Sequence, residues 1–128
     1  MRLFLVRHAH SDPGQPDELR PLSARGREEA RELGERLTAV APDVVLASPL
    51  LRARETAAAI AKATGAEVRV DERLAPGASA EDVLAAIEGA GESVVAVGHQ
   101  PDCSEVAAAL GAGEREFAPA AVLEIAVP

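Results

Sequence analysis

Leu3-Phe4-Leu5-Val6-Arg7-His8-Ala9-His10-Ser11 is an apolar run that gives way at once to basic and polar residues. Four consecutive apolar residues in so short a stretch mark a strand buried on both faces, as strands of a parallel sheet are. In open α/β sheets ligands collect at the carboxyl ends of the strands, so Arg7 and His8 fall where a site is built. The pattern recurs twice. Val44-Val45-Leu46-Ala47 runs into Ser48-Pro49-Leu50-Leu51-Arg52-Ala53-Arg54-Glu55-Thr56, and Ser93 to Val97 runs into Gly98-His99-Gln100-Pro101. Three such strand ends would bring two histidines and two arginines to one place.

The intervening segments have the period of helices. Ala30, Leu33 and Leu37, spaced by three and four, predict an amphipathic helix over 23–40, ended by Pro42. Residues 49–64 form a second helix with proline in its first turn and Gly65 as a left-handed cap. Val68 to Val70 is a third strand. Ser79 with Asp82 three positions on resembles a capping box for a helix to about Glu88, and Asp102 to Leu110 a short helix stopped by Gly111. Val122 to Val127 is a terminal strand. Strand and helix alternate throughout, so the expected fold is α/β, a mostly parallel central sheet of about five strands with helices on both faces, in one domain spanning 1–128.

Composition narrows the function. Of 128 residues, 48% are hydrophobic and 27% charged, and Asp+Glu outnumber Lys+Arg by 21 to 13, a formal charge of −8. The basic residues are scattered among acidic ones, which argues against nucleic acid or an anionic membrane as partner. No apolar stretch approaches the roughly 20 residues of a membrane span, and the apolar run at the start is short for a signal peptide, so a cytoplasmic protein is expected. The single cysteine, Cys103, excludes an internal disulfide and reads as a small apolar helix residue.

A neutral imidazole can attack phosphorus and form a covalent intermediate that divides one hard displacement into two. His8 is the candidate nucleophile. Arg7 and Arg52 offer guanidinium forks that match phosphate oxygens, and His99, if protonated, adds another donor. Such chemistry needs no metal and no cofactor. His8 and His10 also form a His-x-His that binds zinc in other hydrolases, but three histidines in the whole chain leave too few ligands. His10 is read as a solvated loop residue, with a place at the pocket rim as the alternative, and Arg54 and Glu55 as a solvent-facing pair.

These residues resemble the histidine phosphatase superfamily, also called phosphoglycerate mutase-like. Arg7-His8 matches its opening motif, Ser48 to Ala53 with Thr56 its second-arginine motif, and Val97-Gly98-His99 its second-histidine motif. Leu22-Ser23 followed by Gly26 matches a further pattern at the first helix. The resemblance implies His8 as the phosphorylated nucleophile, with Arg7, Arg52 and His99 as the phosphate pocket and Ser11 as a lining residue. Two departures stand out. Ala9 replaces the usual glycine, and Ala75-Pro76 stands where larger members carry a glutamate that protonates the leaving oxygen. With the short chain, this resembles the compact SixA-like branch.

That branch implies a phosphatase for protein phosphohistidine, with a phosphorylated protein as partner. Two other readings stay open: a small-molecule phosphomonoesterase of the same superfamily, and a non-catalytic phosphate-binding module. Asp12, Glu72 and Asp102 read as surface or capping acids; should a general acid exist, Asp12 and Glu72 are its first candidates, each in a loop after a strand.

Overall fold

A computed structural model describes residues 1–128. Its strands are β1 (Arg2–Arg7), β2 (Val44–Ala47), β3 (Glu67–Val70), β4 (Ser93–Gly98) and β5 (Val122–Ala126), and its helices α1 (Ala24–Leu37), α2 (Leu51–Thr64), α3 (Ala80–Ile87) and α4 (Asp102–Ala109). They build one five-stranded sheet in the order β3-β2-β4-β1-β5. The first four strands are parallel, and β5 runs antiparallel against β1. The expected α/β class and mostly parallel sheet are what the chain adopts.

Alternation along the strands divides the core into two layers. Phe4, Val6, Val45, Ala47, Val95 and Val97 meet Leu33 and Leu37 of α1 and Ala53, Ala57 and Ile60 of α2 on one face. Leu3, Leu5, Val44, Leu46, Val94 and Ala96 meet Val83, Ala86 and Ile87 of α3 and Val106 of α4 on the other. Both faces are therefore covered by helices, which is why the central strands read as unbroken apolar runs.

Helix ends follow local chemistry. Ser23 caps α1, its side chain accepting from the Gly26 N–H, and the Ser79–Asp82 capping box opens α3 as expected. Gly65, at φ 80°, closes α2 in the left-handed conformation. The first helix is shorter than its periodicity suggests. It ends at Leu37, and Thr38 and Val40 donate to Glu35 and Leu37 carbonyls in tight turns. Ala41 precedes Pro42, which disfavours a helical conformation there, and takes φ 51° instead. Pro49 likewise lies outside α2, whose first residue is Leu51.

Candidate active site

Strand register assembles the site. Arg7 pairs with Gly98 and Ala47 with Val97, so the next residues, His8, His99 and Ser48, emerge side by side at the carboxyl edge. The ladder continues past the strands, with the His8 N–H donating to Gly98 O at 3.0 Å and the Ser48 N–H to Val97 O at 3.0 Å. His8 and His99 rings lie 5.2 Å apart, centre to centre. One cleft of about 310 Å³ is walled by Arg7, His8, Arg52 and His99, with His10, Ser11, Arg20 and Gln100 around them and Pro76 and Pro119 at the sides. All five residues expected from the sequence, Ser11 included, come together there.

Each side chain is held by its surroundings. His8 Nδ1 lies 2.7 Å from the Ala9 carbonyl, which can only accept, so Nδ1 carries the ring proton and Nε2 presents its lone pair. Burial, with help from Arg52, Arg7 and Arg20, pushes the His8 pKa down to about 4, against the opposing bond to Ala9. The imidazole is therefore neutral at pH 7, the form a nucleophile requires. Ala9 is buried and avoids positive φ, so the missing glycine costs nothing. Its N–H donates to Thr56 Oγ1 at 3.0 Å, and that hydroxyl donates to Arg52 O at 2.8 Å. Thr56 thereby ties the strand that carries His8 to α2.

Gly26 has a steric reason for its place. A Cβ there would lie 1.8 Å from His10 O, so only glycine lets α1 approach the segment carrying His8. His10 itself sits at the rim with Nδ1 2.7 Å from Ser23 Oγ.

The arginines differ in their ties. Arg7 donates from Nη1 to Phe117 O at 2.8 Å, and its buried Nε has no partner. Arg52, with its side chain 9% exposed, donates to Asp17 O at 2.9 Å and Asp17 Oδ2 at 3.3 Å. Asp17 also accepts from Arg20, which in turn donates to Ser11 Oγ at 2.9 Å. Those bonds to Arg20 and the charge of Arg52 hold the Asp17 carboxyl below its ordinary value, so it is ionised at the cleft mouth.

Arg20 and Asp17 were not legible as site residues. They sit on and beside a 3-10 turn (Asp17–Leu19) in a loop whose ends are joined by the Ser11–Leu22 bridge. That closure returns the loop to the cleft, and no motif in the sequence announces it.

Three expectations need correction, those for His99, Asp102 and the pair Arg54 and Glu55. His99 is not a cationic donor: burial first, then His8 and Arg52, push its pKa down to about 3, although Asp17 opposes them. Asp102 is neither surface nor cap. It is buried in the first turn of α4 and accepts from the Gly77 and Ala78 N–H groups, fixing the loop that carries Pro76. Asp12 and Glu72 are exposed, in keeping with their reading as surface acids, and neither lines the cleft, so neither is placed to serve as general acid. Arg54 and Glu55 are no pair: Arg54 donates to Pro49 O, while Glu55 accepts from the Leu22 N–H at 2.7 Å.

Cys103 is a buried core residue as expected, its thiol pushed up to about 12 chiefly by burial. A larger cleft, about 710 Å³ between α1 and α2, lies away from both histidines. No helix is long and apolar enough to cross a membrane.

An imidazole lone pair ringed by guanidinium donors at parallel strand ends defines a phosphoryl-transfer type of site. Comparison with known proteins agrees, since the family model of the histidine phosphatase superfamily (branch 1) matches residues 3–76. The chain belongs to that superfamily. An uncharacterised protein of Picosynechococcus sp. is 36% identical over 124 residues, covering 89% of this chain and 75% of that protein. A probable phosphoglycerate mutase GpmB of Salmonella paratyphi C is 33% identical over 81 residues, and the aligned part is 58% of this chain but 37% of that protein.

Among solved structures, the protein histidine phosphatase SixA complexed with tungstate superposes with TM-score 0.89 at 25% identity, over 99% of this chain and 88% of that one. A SixA of Agrobacterium tumefaciens, assigned as a phosphohistidine phosphatase, gives TM-score 0.76 at 27% identity, over 96% and 89%.

Proposed function

We propose that this protein is a metal-independent phosphatase that works through a phosphorylated His8 and removes phosphate from protein phosphohistidine. The observation that carries the substrate choice is the cleft's lining, which holds two arginines beside Arg7 and three histidines but no carboxylic acid. Asp17, the carboxylate bonded to two of the cleft's arginines, is held ionised between Arg20 and Arg52 and has no proton to give at pH 7. Pro76 lines the cleft wall, and the resemblance to the superfamily aligns Ala75-Pro76 with the glutamate of larger members.

In the first step His8 Nε2 attacks phosphorus as the bond to the leaving atom breaks. Arg7, Arg52 and the neutral His99 donate to the equatorial oxygens as charge spreads over them. In the second step water attacks the phosphorylated His8, releasing phosphate and restoring the neutral ring. Without a proton donor, the leaving group must depart by itself. A phosphohistidine whose second ring nitrogen is protonated brings its own proton and departs as neutral imidazole, with a conjugate-acid pKa near 6.5, whereas an alkoxide resembles hydroxide, whose conjugate acid lies at about 15.7. The gap of about 9 units is at most roughly 12 kcal/mol, and even a third of it in the transition state is a large rate factor.

The similarity to SixA structures supports the same choice. A cleft of about 310 Å³ also admits a small phosphomonoester, which is the second reading. A purely binding module is disfavoured because binding gives no role to a free imidazole lone pair.

The test is hydrolysis of a phosphohistidine peptide in parallel with aryl and alkyl phosphates, following the phosphorylation step. Rates should fall steeply with rising phenol pKa, with alkyl phosphates nearly inert and phosphohistidine turned over well. A flat dependence on leaving-group pKa would sink the proposal and reveal a proton donor.

A further inference from the structure

Ser48 is fully buried at the end of β2, and its hydroxyl has two partners. It accepts from the Leu50 N–H at 3.2 Å and lies 2.7 Å from His99 Nε2. The other ring nitrogen of His99, Nδ1, is buried and has no partner within the protein. We propose that the Ser48 hydroxyl donates to His99 Nε2, locking His99 as the Nδ1–H tautomer, so that Ser48 is the positioning residue that aims His99's single proton at the phosphoryl group.

Accounting for protons leads to this arrangement. A contact between a hydroxyl and a ring nitrogen can run either way. If Nε2–H donated to Ser48, the serine oxygen would take two donors while its own proton, fully buried, found no acceptor. Nδ1 would then be a buried lone pair without a partner, in a side chain that lines the cleft, and would have no proton to offer a phosphoryl oxygen. If Ser48 donates to Nε2, every proton on the serine and on Leu50 is used, and the one N–H of His99 is left for the ligand. Burial keeps His99 neutral at pH 7, so it has one ring proton to place and the tautomer decides whether it is a donor at all.

The same logic governs His8, whose tautomer is set by the Ala9 carbonyl. The two histidines would thus share the Nδ1–H form while doing opposite work. His8 offers Nε2 as nucleophile, and His99 offers Nδ1–H as donor.

The inference rests on phosphoryl transfer at this cleft, and its test is separable from that reading. With ¹⁵N-histidine label the chain gives three imidazoles to assign, and two-bond correlation spectra report which nitrogen of each is protonated. In wild-type protein with saturating inorganic phosphate or tungstate, His99 should show a protonated Nδ1 and an unprotonated Nε2. A protonated Nε2 would overturn the proposal whatever the enzyme's substrate.

A matched pair of variants adds a kinetic readout. Ser48→Thr and Ser48→Val carry the same bulk, so any shared packing cost cancels, but only threonine keeps the hydroxyl. Loss of one transition-state donor costs roughly tenfold or more, so phosphorylation should be at least about tenfold faster in Ser48→Thr than in Ser48→Val, with a parallel difference in tungstate affinity. Equal rates and affinities in the two would overturn the assignment. A protonated Nδ1 in a protein that never phosphorylates His8 would instead refute the proposed function and leave Ser48's role in anion binding standing.

Discussion

Replacing Arg52 by alanine separates the phosphate pocket from its surroundings more cleanly than any other substitution. The side chain is 9% exposed, and its guanidinium spans the cleft wall and Asp17. A phosphoryl group bound in the cleft would form a desolvated charge pair with Arg52, and truncating one partner of such a pair costs about 2 to 5 kcal/mol. At about 1.4 kcal/mol per decade, kcat/KM for an aryl phosphate should fall between roughly 30-fold and 5,000-fold. Inhibition by phosphate or tungstate should weaken in parallel, because the same fork holds the ground-state anion.

Arg54, two positions along the same helix, is exposed and donates to Pro49 O away from the cleft. Arg54→Ala should therefore change kcat/KM by less than about twofold, within the range of ordinary surface substitutions. Alanine favours helix in both variants, so α2 is not weakened and thermal unfolding serves as the control. Arg52→Lys should be intermediate, since it keeps the charge without the two-pronged donor. Comparable losses from Arg52→Ala and Arg54→Ala, or none from either, would refute this assignment of the pocket.

Two further outcomes follow from the geometry around His8. Gly26→Ala puts a methyl group 1.8 Å from His10 O, so α1 or the His8 segment must move; unfolding in urea should show a loss of about 1 to 3 kcal/mol, with a disproportionate drop in kcat. Wild-type stability and activity in that variant would show that the close approach does not matter. Acid should destabilise the fold through the two histidines, whose folded values near 4 and 3 lie below the ordinary 6.5. The unfolded chain then binds protons that the folded chain refuses, so stability is full above about pH 6.5. It drains as pH falls toward 4 for His8 and 3 for His99, with a slope of up to about 1.4 kcal/mol per pH unit for each. Urea titrations at pH 7.5 and 5, repeated in His99→Asn, check this, and an unchanged pH slope in the variant would contradict it.

Strand ends and their motifs were legible because each buried strand is a run with no polar interruption, and the chemistry begins at the next residue. The register that sets His8 beside His99 then follows from the sheet. Strand direction is a different matter. Nothing in Val122 to Ala126 distinguishes an antiparallel edge strand from a parallel one, and the preceding loop is held beside β1 by the Ala120 N–H, which donates to the Arg7 and His8 carbonyls. Apolar periodicity runs on to Val40 and does not report the tight turns over Thr38 to Val40 with which α1 closes after Leu37. Arg20 and Asp17 enter the cleft only through loop closure, a tertiary event without a local pattern. The neutrality of His99 was equally hidden, since burial and the neighbouring His8 and Arg52 that depress it are properties of the assembled site.

The claim on which the rest depends is that His8 becomes phosphorylated. Rapid quenching of the protein mixed with a ³²P-labelled phosphoryl donor should trap label that is stable to base, lost in acid, and absent from His8→Ala. Label that persists in His8→Ala, or that survives acid in the wild type, would place the nucleophile elsewhere and contradict the account.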